Sequence, residues 1–231
     1  MPVGKRIYLK RNMPSPELVA AFSKIPTANI ADVMERSCAM NPSIRLMSNP
    51  QKPIVAGVAL TVKSRAGDNL TIHAALDMAQ EGDFLVVSNQ GERTRSLMGD
   101  IMMAYLFYDR KATGLVLDGP IRDIEEIKNW DFPIYATGTT PGGPYKEGPG
   151  EVNVPISCGD ITVNPGDIIV ADEDGVIVIP LADAEHILAE AHKLQANDTA
   201  KFEAAKAGKA NRAWVEVRLK EKGYEIIDDI Y

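Results

Sequence analysis

The sequence predicts a layered α/β fold that ends in a helical tail. Three observations predict it. Through the first half, β-branched runs alternate with helical patterns in a βαβαβ rhythm, which calls for parallel strands joined by crossover helices. After Gly138 the chain changes to short strands broken by Gly-Asp and Asn-Pro-Gly turns, so a second sheet is expected to pack on the first. From Leu181 an alanine-rich helical pattern takes over. The expected division is therefore residues 1–180 as one α/β domain and 181–231 as a helical extension.

The elements follow in order. "SPELVAAFSKI" reads as a short amphipathic helix and "TANIADVMERS" as another, with Thr27 a candidate N-cap. "IVAGVALTVKS" is a β-branched run and hence a strand. In "GDNLTIHAALDMAQEGD" the apolar residues Leu70, Ala74, Ala75 and Met78 fit one helical face. "FLVVSNQG" gives a strand, "GDIMMAYLFYDRKA" an apolar helix, and "TGLVLDG" a buried strand. "IEEIKNW" is a short helix and "FPIYATG" a further strand. "TTPGGPYKEGPGE" must be a loop. Two helices are expected at the end, about Leu181 to Ala207 and Trp214 to Lys222. Such a polar tail adds little to a compact core, and it is expected to reach over a neighbouring subunit.

Composition narrows the function. The net charge is −7, whereas a nucleic-acid binder usually carries a basic face. The longest apolar runs, such as Ile101 to Phe107, are too short to cross a bilayer. "MPVGKRIYLKRN" is basic without an apolar signal core, so a cytoplasmic protein is expected. Cys38 and Cys158 lack CxxC context and are expected to be buried, reduced thiols. No glycine-rich nucleotide loop follows a strand, and no GxSxG is present.

Two segments carry candidate chemistry. In open α/β folds ligands gather outside the carboxyl ends of the strands, and "GLVLDGPIRDIEE" puts Arg122 and Asp123 just past such an end. Asp123 could instead cap the following helix while Arg122 pairs with Glu125 or Glu126. In "RSLMGDIMMAY", Gly99-Asp100 stands at a helix start. The backbone N–H groups of Ile101 and Met102 would point outward there as an anion site. His73, His186 and His192 share no zinc-ligand spacing with a cysteine. A hard oxygen site for Mg²⁺ or Mn²⁺ therefore remains, with Asp123 as first ligand and Asp118, Asp100 and Glu126 as alternatives. Lys63, after a strand, is expected to be a surface or salt-bridging residue rather than a Schiff base. Lys146 could receive a second substrate carboxylate, but a solvated loop lysine is the leading expectation.

"MGDIMMAY" followed by "GLVLDGPIRDIEE" resembles the class II pyruvate aldolases that cleave 4-hydroxy-4-methyl-2-oxoglutarate, which share their fold with the regulator of ribonuclease activity A. The family fingerprint of a glycine, a gap, Arg-Asp and a following acid is matched by Gly99, Arg122, Asp123 and Glu126. "GDNLTIHAALDMAQEGDFLVV" and "GDIIVADEDGVIVIP" also resemble family blocks, and the likeness spans residues 25–182. It implies an RraA-like, swivelling-domain-like β/β/α sandwich. It implies that Asp123 binds Mg²⁺ or Mn²⁺, Arg122 contacts the keto oxygen and the developing enolate, and Asp100 holds a metal-bound water. Gly99, Ile101 and Met102 would receive the substrate carboxylate. An acid is expected from a neighbouring subunit's tail helix, Asp198 by position or else Glu203, in a homotrimer or homohexamer. The implied activity is cleavage of a 4-hydroxy-2-keto acid to pyruvate, with oxaloacetate decarboxylation through the same enolate. A non-catalytic regulator of ribonuclease activity is the competing expectation.

Overall fold

The computed structural model describes residues 3–231. They fall into two units, the larger ending at His192 and the second spanning Lys193–Tyr231. In chain order the larger unit begins with β1 (Lys5–Ile7), α1 (Pro16–Phe22), α2 (Thr27–Val33), β2 (Arg45–Leu46) and β3 (Val55–Ser64). It continues with α3 (Leu70–Met78), β4 (Asp83–Ser88), α4 (Asp100–Ala104, extended by a π-turn over Tyr105–Asp109), β5 (Gly114–Asp118), α5 (Ile124–Ile127) and β6 (Ile134–Ala136). Then come β7 (Gly150–Val152), β8 (Ile156–Cys158), β9 (Ile161–Val163), β10 (Ile168–Asp172) and β11 (Gly175–Ile179). The long helix α6 (Ala184–Lys206) starts in the larger unit, and α7 (Ala213–Glu221) lies in the second.

Strands β3, β4, β5 and β6 run parallel, as the βαβ rhythm requires. The sheet forks at β3. Residues Val55–Val58 pair antiparallel with β10, while Val62–Ser64 pair antiparallel with β7.

Side-chain alternation sorts the strand residues onto two faces. Leu60, Val62, Leu85, Val87, Leu115, Leu117, Ile134 and Ala136 face a cluster with Ile72 and Leu76 of α3, Met103 of α4 and Ile127 of α5. Ala59, Phe84, Val86, Val116 and Tyr135 face the other way, against the β8–β9 hairpin and Ile169, Ala171, Val176 and Val178 of the β10–β11 ribbon. The opposite face of that ribbon, through Ile168, Val170, Ile177 and Ile179, packs on α1, α2 and the first turns of α6. Each Val, Leu, Ile, Phe or Met among these, fully buried, contributes about 1.5–3 kcal/mol of transfer free energy. The layered α/β fold expected from the sequence is what forms, with the ribbon continuous with the main sheet through β3.

Three local readings change. The buried face of α3 is Thr71, Ile72, Ala75 and Leu76, and Leu70 is 46% exposed. Leu70 sits at the helix start, beside the strand-end loops, rather than over the sheet. Thr27 is the first residue of α2 rather than its cap. Its N–H and hydroxyl both donate to the Asp172 carboxylate at the end of β10, at 2.9 and 2.7 Å. A strand from far along the chain thus supplies the anion that suits a helix N-terminus. Cys158 is buried but Cys38 only partly so, both as free thiols.

Ala184, Ile187 and Ala191 join the core of the larger unit, whereas every residue of α7 is at least partly exposed. No helix among the described residues is long and apolar enough to cross a membrane.

Candidate active site at the strand ends

The loops leaving the carboxyl ends of β3 to β6 are laced together by backbone hydrogen bonds. Leu97 N–H donates to Pro120 O and Arg122 N–H to Met98 O, each at 3.1 Å. Ile121 N–H donates to Gly138 O and Thr140 N–H to Ile121 O, each at 3.0 Å, and Ser96 N–H to Gly142 O at 2.8 Å. Gly99-Asp100 and Arg122-Asp123, far apart in sequence, are thereby brought into contact.

Their contact depends on one missing side chain. A Cβ on Gly99 would overlap Asp123 Oδ2 and come within 3.0 Å of Arg122 Nε. The φ of Gly99 is −126°, so glycine is required here for space and not for conformation. Asp123 has φ +63° and no side-chain capping bond to α5. Aspartate is one of the few non-glycine residues that adopt the left-handed conformation as a single residue. This conformation turns the carboxylate back toward α4, where Oδ2 accepts the Asp100 N–H at 3.2 Å. The same oxygen lies 3.4 Å from Arg122 Nε. Glu125 pairs instead with Lys128, so neither the helix-cap reading of Asp123 nor the pairing of Arg122 with Glu125 describes this turn.

Beside this turn lies a cleft of about 320 Å³ lined by Gly99, Asp100, Ile101, Met102 and Arg122, together with Asn69, His73, Ser96 and Lys146. The N–H groups at 100–102 belong to the first turn of α4, which lacks intrahelical acceptors. The Asp100 carboxylate turns back on that turn and accepts the Ile101 N–H at 2.7 Å. That amide is thus covered by its own chain rather than pointing outward, as the sequence had suggested.

Asn69 and His73 were not singled out from the sequence. Asn69 is 2% exposed, and its amide donates to Leu97 O at 2.9 Å. Asn69 Oδ1 and His73 Nε2 are buried without a protein partner. Unsatisfied buried polar atoms are rare in folded proteins, and here two of them line the candidate cleft. Burial holds the His73 pKa below 6.5, and the Lys146 charge lowers it further.

Asp118, an alternative ligand by sequence, does not join this cluster. Leu115 and Leu117 face the helices, so the period-two alternation of β5 directs Asp118 to the hairpin face. There it lies 3.5 Å from Arg93 in a separate cleft of about 440 Å³ that also contains Lys63, Ser88 and Asp160. Glu126 is exposed on α5. Asp198 and Glu203 lie on α6 within the second unit, with Lys201 Nζ at 2.9 Å and Lys206 Nζ at 3.1 Å respectively. His186 and His192 are exposed.

Among the described residues no group of three or more His, Cys, Asp or Glu is arranged to hold a metal ion. The donors at the turn are the carboxylates of Asp123 and Asp100. That set suits a hard cation that keeps several waters, such as Mg²⁺ or Mn²⁺, and offers none of the Cys or His ligands around which zinc sites are built.

Comparison with known proteins agrees with the fold. The family model described as RraA-like, Aldolase/RraA, matches residues 27–178. The chain therefore belongs to the RraA-like family. A relative from Halalkalibacterium halodurans, named "Putative 4-hydroxy-4-methyl-2-oxoglutarate aldolase", is 38% identical over 185 residues, covering 80% of this chain and 87% of the relative. A solved structure of Streptomyces coelicolor RraAS2, titled an unusual member of the RNase ES inhibitor RraA protein family, has a TM-score of 0.71. It is 27% identical and covers 86% of this chain and 99% of its own. A Geobacillus kaustophilus structure titled as an S-adenosylmethionine: 2-dimethylmenaquinone methyltransferase has a TM-score of 0.59 at 31% identity, covering 67% of this chain and 94% of its own.

Proposed function

We propose that this protein is a divalent-metal-dependent carbon–carbon lyase that cleaves 4-hydroxy-4-methyl-2-oxoglutarate or a related 4-hydroxy-2-keto acid to pyruvate, and that decarboxylates oxaloacetate. The observation that carries the reading is the contact of Asp123 Oδ2 with the Asp100 N–H at 3.2 Å, over a Gly99 that has no room for a side chain. It joins a cation, two carboxylates and a helix first turn at one strand-end cleft.

Cleavage next to a 2-keto acid leaves negative charge on the enolate of pyruvate, and a fixed cation aimed at that oxygen lowers the barrier. Arg122 supplies it. Gly99 and the amides of Ile101 and Met102 receive the substrate carboxylate, which displaces the Asp100 side chain from the Ile101 N–H. Asp100, once displaced, orients the water that takes the C4 hydroxyl proton and later returns a proton to the enolate. Asp123 would hold Mg²⁺ or Mn²⁺, and the bound cation supplies Lewis acidity toward the keto and carboxylate oxygens. Lys146 offers a charge to a second carboxylate. Asp198, with Glu203 as substitute, would reach the site from the tail helix of a neighbouring subunit in a trimer or hexamer.

One experiment tests this. The protein is incubated with oxaloacetate or 4-hydroxy-4-methyl-2-oxoglutarate and Mg²⁺ or Mn²⁺, and pyruvate is followed with a lactate dehydrogenase couple. Metal-dependent turnover that disappears in Arg122→Ala and Asp123→Ala supports the reading. Equal background rates in wild type and both variants on every keto acid would sink it. The Streptomyces neighbour's title favours a second reading, a protein-binding regulator of ribonuclease activity. That reading gains if turnover is absent and a ribonuclease is inhibited. The sequence lacks a glycine-rich nucleotide loop, so the methyltransferase title of the other neighbour is not carried over.

A further inference from the structure

Helix α3 is started by a carboxylate that also holds a second segment. Asp68 is 1% exposed. Its Oδ1 accepts the Leu70 N–H at 2.9 Å, and its Oδ2 accepts the N–H groups of Glu147 and Gly148 at 2.7 and 2.9 Å. The backbones of the two segments also cross. Tyr145 N–H donates to Gly67 O at 2.8 Å and Asn69 N–H to Tyr145 O at 3.0 Å.

Arg95 holds the same crossing by a different set of contacts. Its guanidinium donates to Gly143 O at 2.8 Å and to the Tyr145 hydroxyl at 2.7 Å, and it lies 4.0 Å from the Tyr145 ring centroid. A Cβ on Gly67, whose φ is +72°, would sit 2.9 Å from Arg95 Cδ, so this glycine serves both the turn and the clasp. The clasped segment contributes Gly143, Pro144 and Lys146 to the cleft, and the helix start contributes Asn69 and His73. These two parts of the lining are close enough for the Lys146 charge to bear on His73.

We propose that Asp68 and Arg95 are positioning residues of the cleft. Together they fix the Gly142–Gly148 segment against the start of α3 and so set where Lys146 stands relative to Asn69 and His73. The proposal rests on the lyase reading for its kinetic consequence. Bonds from N–H groups to a buried carboxylate are charge-assisted and among the stronger ones in a protein. Asparagine in place of Asp68 keeps one acceptor and turns an NH₂ group toward N–H donors. One of the two segments must then lose its hold.

The test combines kinetics with amide exchange on Asp68→Asn, Arg95→Met, Lys146→Met and the doubles that add Lys146→Met to each of the first two. Arg95 is only partly buried, so its variant guards against a folding defect in Asp68→Asn. The clasp predicts that amides at 142–148 exchange about tenfold faster in both single variants, the loss expected from one charge-assisted hydrogen bond. It also predicts a KM for oxaloacetate raised by about tenfold with kcat nearly unchanged, and each double no worse than Lys146→Met alone. A merely structural role would lower the melting temperature and leave KM and the coupling with Lys146 unmoved. Unchanged exchange at 142–148, or effects that multiply with Lys146→Met, would overturn the proposal. A wild type that makes no pyruvate sinks the lyase reading instead, and the exchange data then still decide whether the clasp holds the segment.

Discussion

Two clefts open at the carboxyl ends of the same parallel strands, one on the helix face and one on the hairpin face. The hairpin-face cleft is larger, at about 440 Å³ against 320 Å³. None of its lining residues has a buried side-chain polar atom without a partner. Arg93 lies against Asp118, and Asn41 donates to Asp160 at 2.6 Å. On the helix face Asn69 Oδ1 and His73 Nε2 have no protein partner, whereas left-handed non-glycine residues occur on both sides, Asp123 beside one cleft and Gln90 and Asp160 in the other. Size therefore does not identify the site. Unspent hydrogen-bonding capacity sets the helix-face cleft apart as the candidate, because a buried polar atom without a protein partner calls for something outside the chain to offset it.

The comparison breaks most sharply at Arg122. Arg122→Ala is expected to lower kcat for pyruvate formation by about a hundredfold or more, the usual cost of losing a group that stabilises an oxyanion. A loss below about threefold in the coupled assay would remove the helix-face cleft from the chemistry.

Each cleft also has its own glycine, and the two should fail differently. In Gly99→Ala the added methyl displaces the Asp123 carboxylate. Activity should fall by about tenfold to a hundredfold, because small misplacements at a reacting centre are that costly, while the melting temperature moves little. Gly159 has φ +55°, and its added Cβ would sit 2.8 Å from Ile44 Cδ1 and 2.9 Å from Met40 Cβ. Gly159→Ala should therefore cost about 1–3 kcal/mol of stability and spare turnover per folded molecule. Urea unfolding of both proteins beside the coupled assay separates the two outcomes.

A smaller effect is expected from the Arg93–Asp118 pair, since Arg93 is 47% exposed. Arg93→Ala should change stability by less than about 1 kcal/mol and leave kcat unchanged. A loss of turnover comparable to Arg122→Ala would transfer the site to the hairpin face.

The smallest effect is in pH dependence, and its sign differs between the clefts. Burial lowers the His73 pKa from 6.5, so below that value the unfolded chain binds a proton that the folded chain resists. Its contribution is present above pH 6.5 and is lost on acidification. Burial raises the Asp118 pKa from 3.8, against the opposing pull of Arg93, so its contribution is present at low pH and is lost as pH rises through the raised value. His73→Gln should lose less stability than wild type between pH 7 and 5, and Asp118→Asn should flatten the opposite slope at lower pH. Unfolding free energies across that range check both.

Much of the candidate site was legible in local patterns. Gly99-Asp100 and Arg122-Asp123 each follow a strand and precede a helix, and open α/β folds gather ligands there. Asp118 reads as an alternative ligand from its nearness in sequence, but its alternation with Leu115 and Leu117 sends it to the other face. The burial of α3 was not legible. Leu70 reads as apolar, but its position at a helix start among loops decides its exposure. Nor could Asn69 and His73 be found, because an unsatisfied atom is defined by what surrounds it.

The sequence by itself determined the parallel βαβ order, the face on which each strand residue stands, and the segments that meet at the strand ends. Those follow from periodicity and turn chemistry, which act over a few residues. Only the tertiary structure decided that Asp172 caps α2, that Asp123 turns its carboxylate to Asp100, and that Asp68 ties α3 to a segment almost eighty residues away. Each of these is a bond between distant stretches, and no local pattern encodes which donor a carboxylate will meet once the chain has folded.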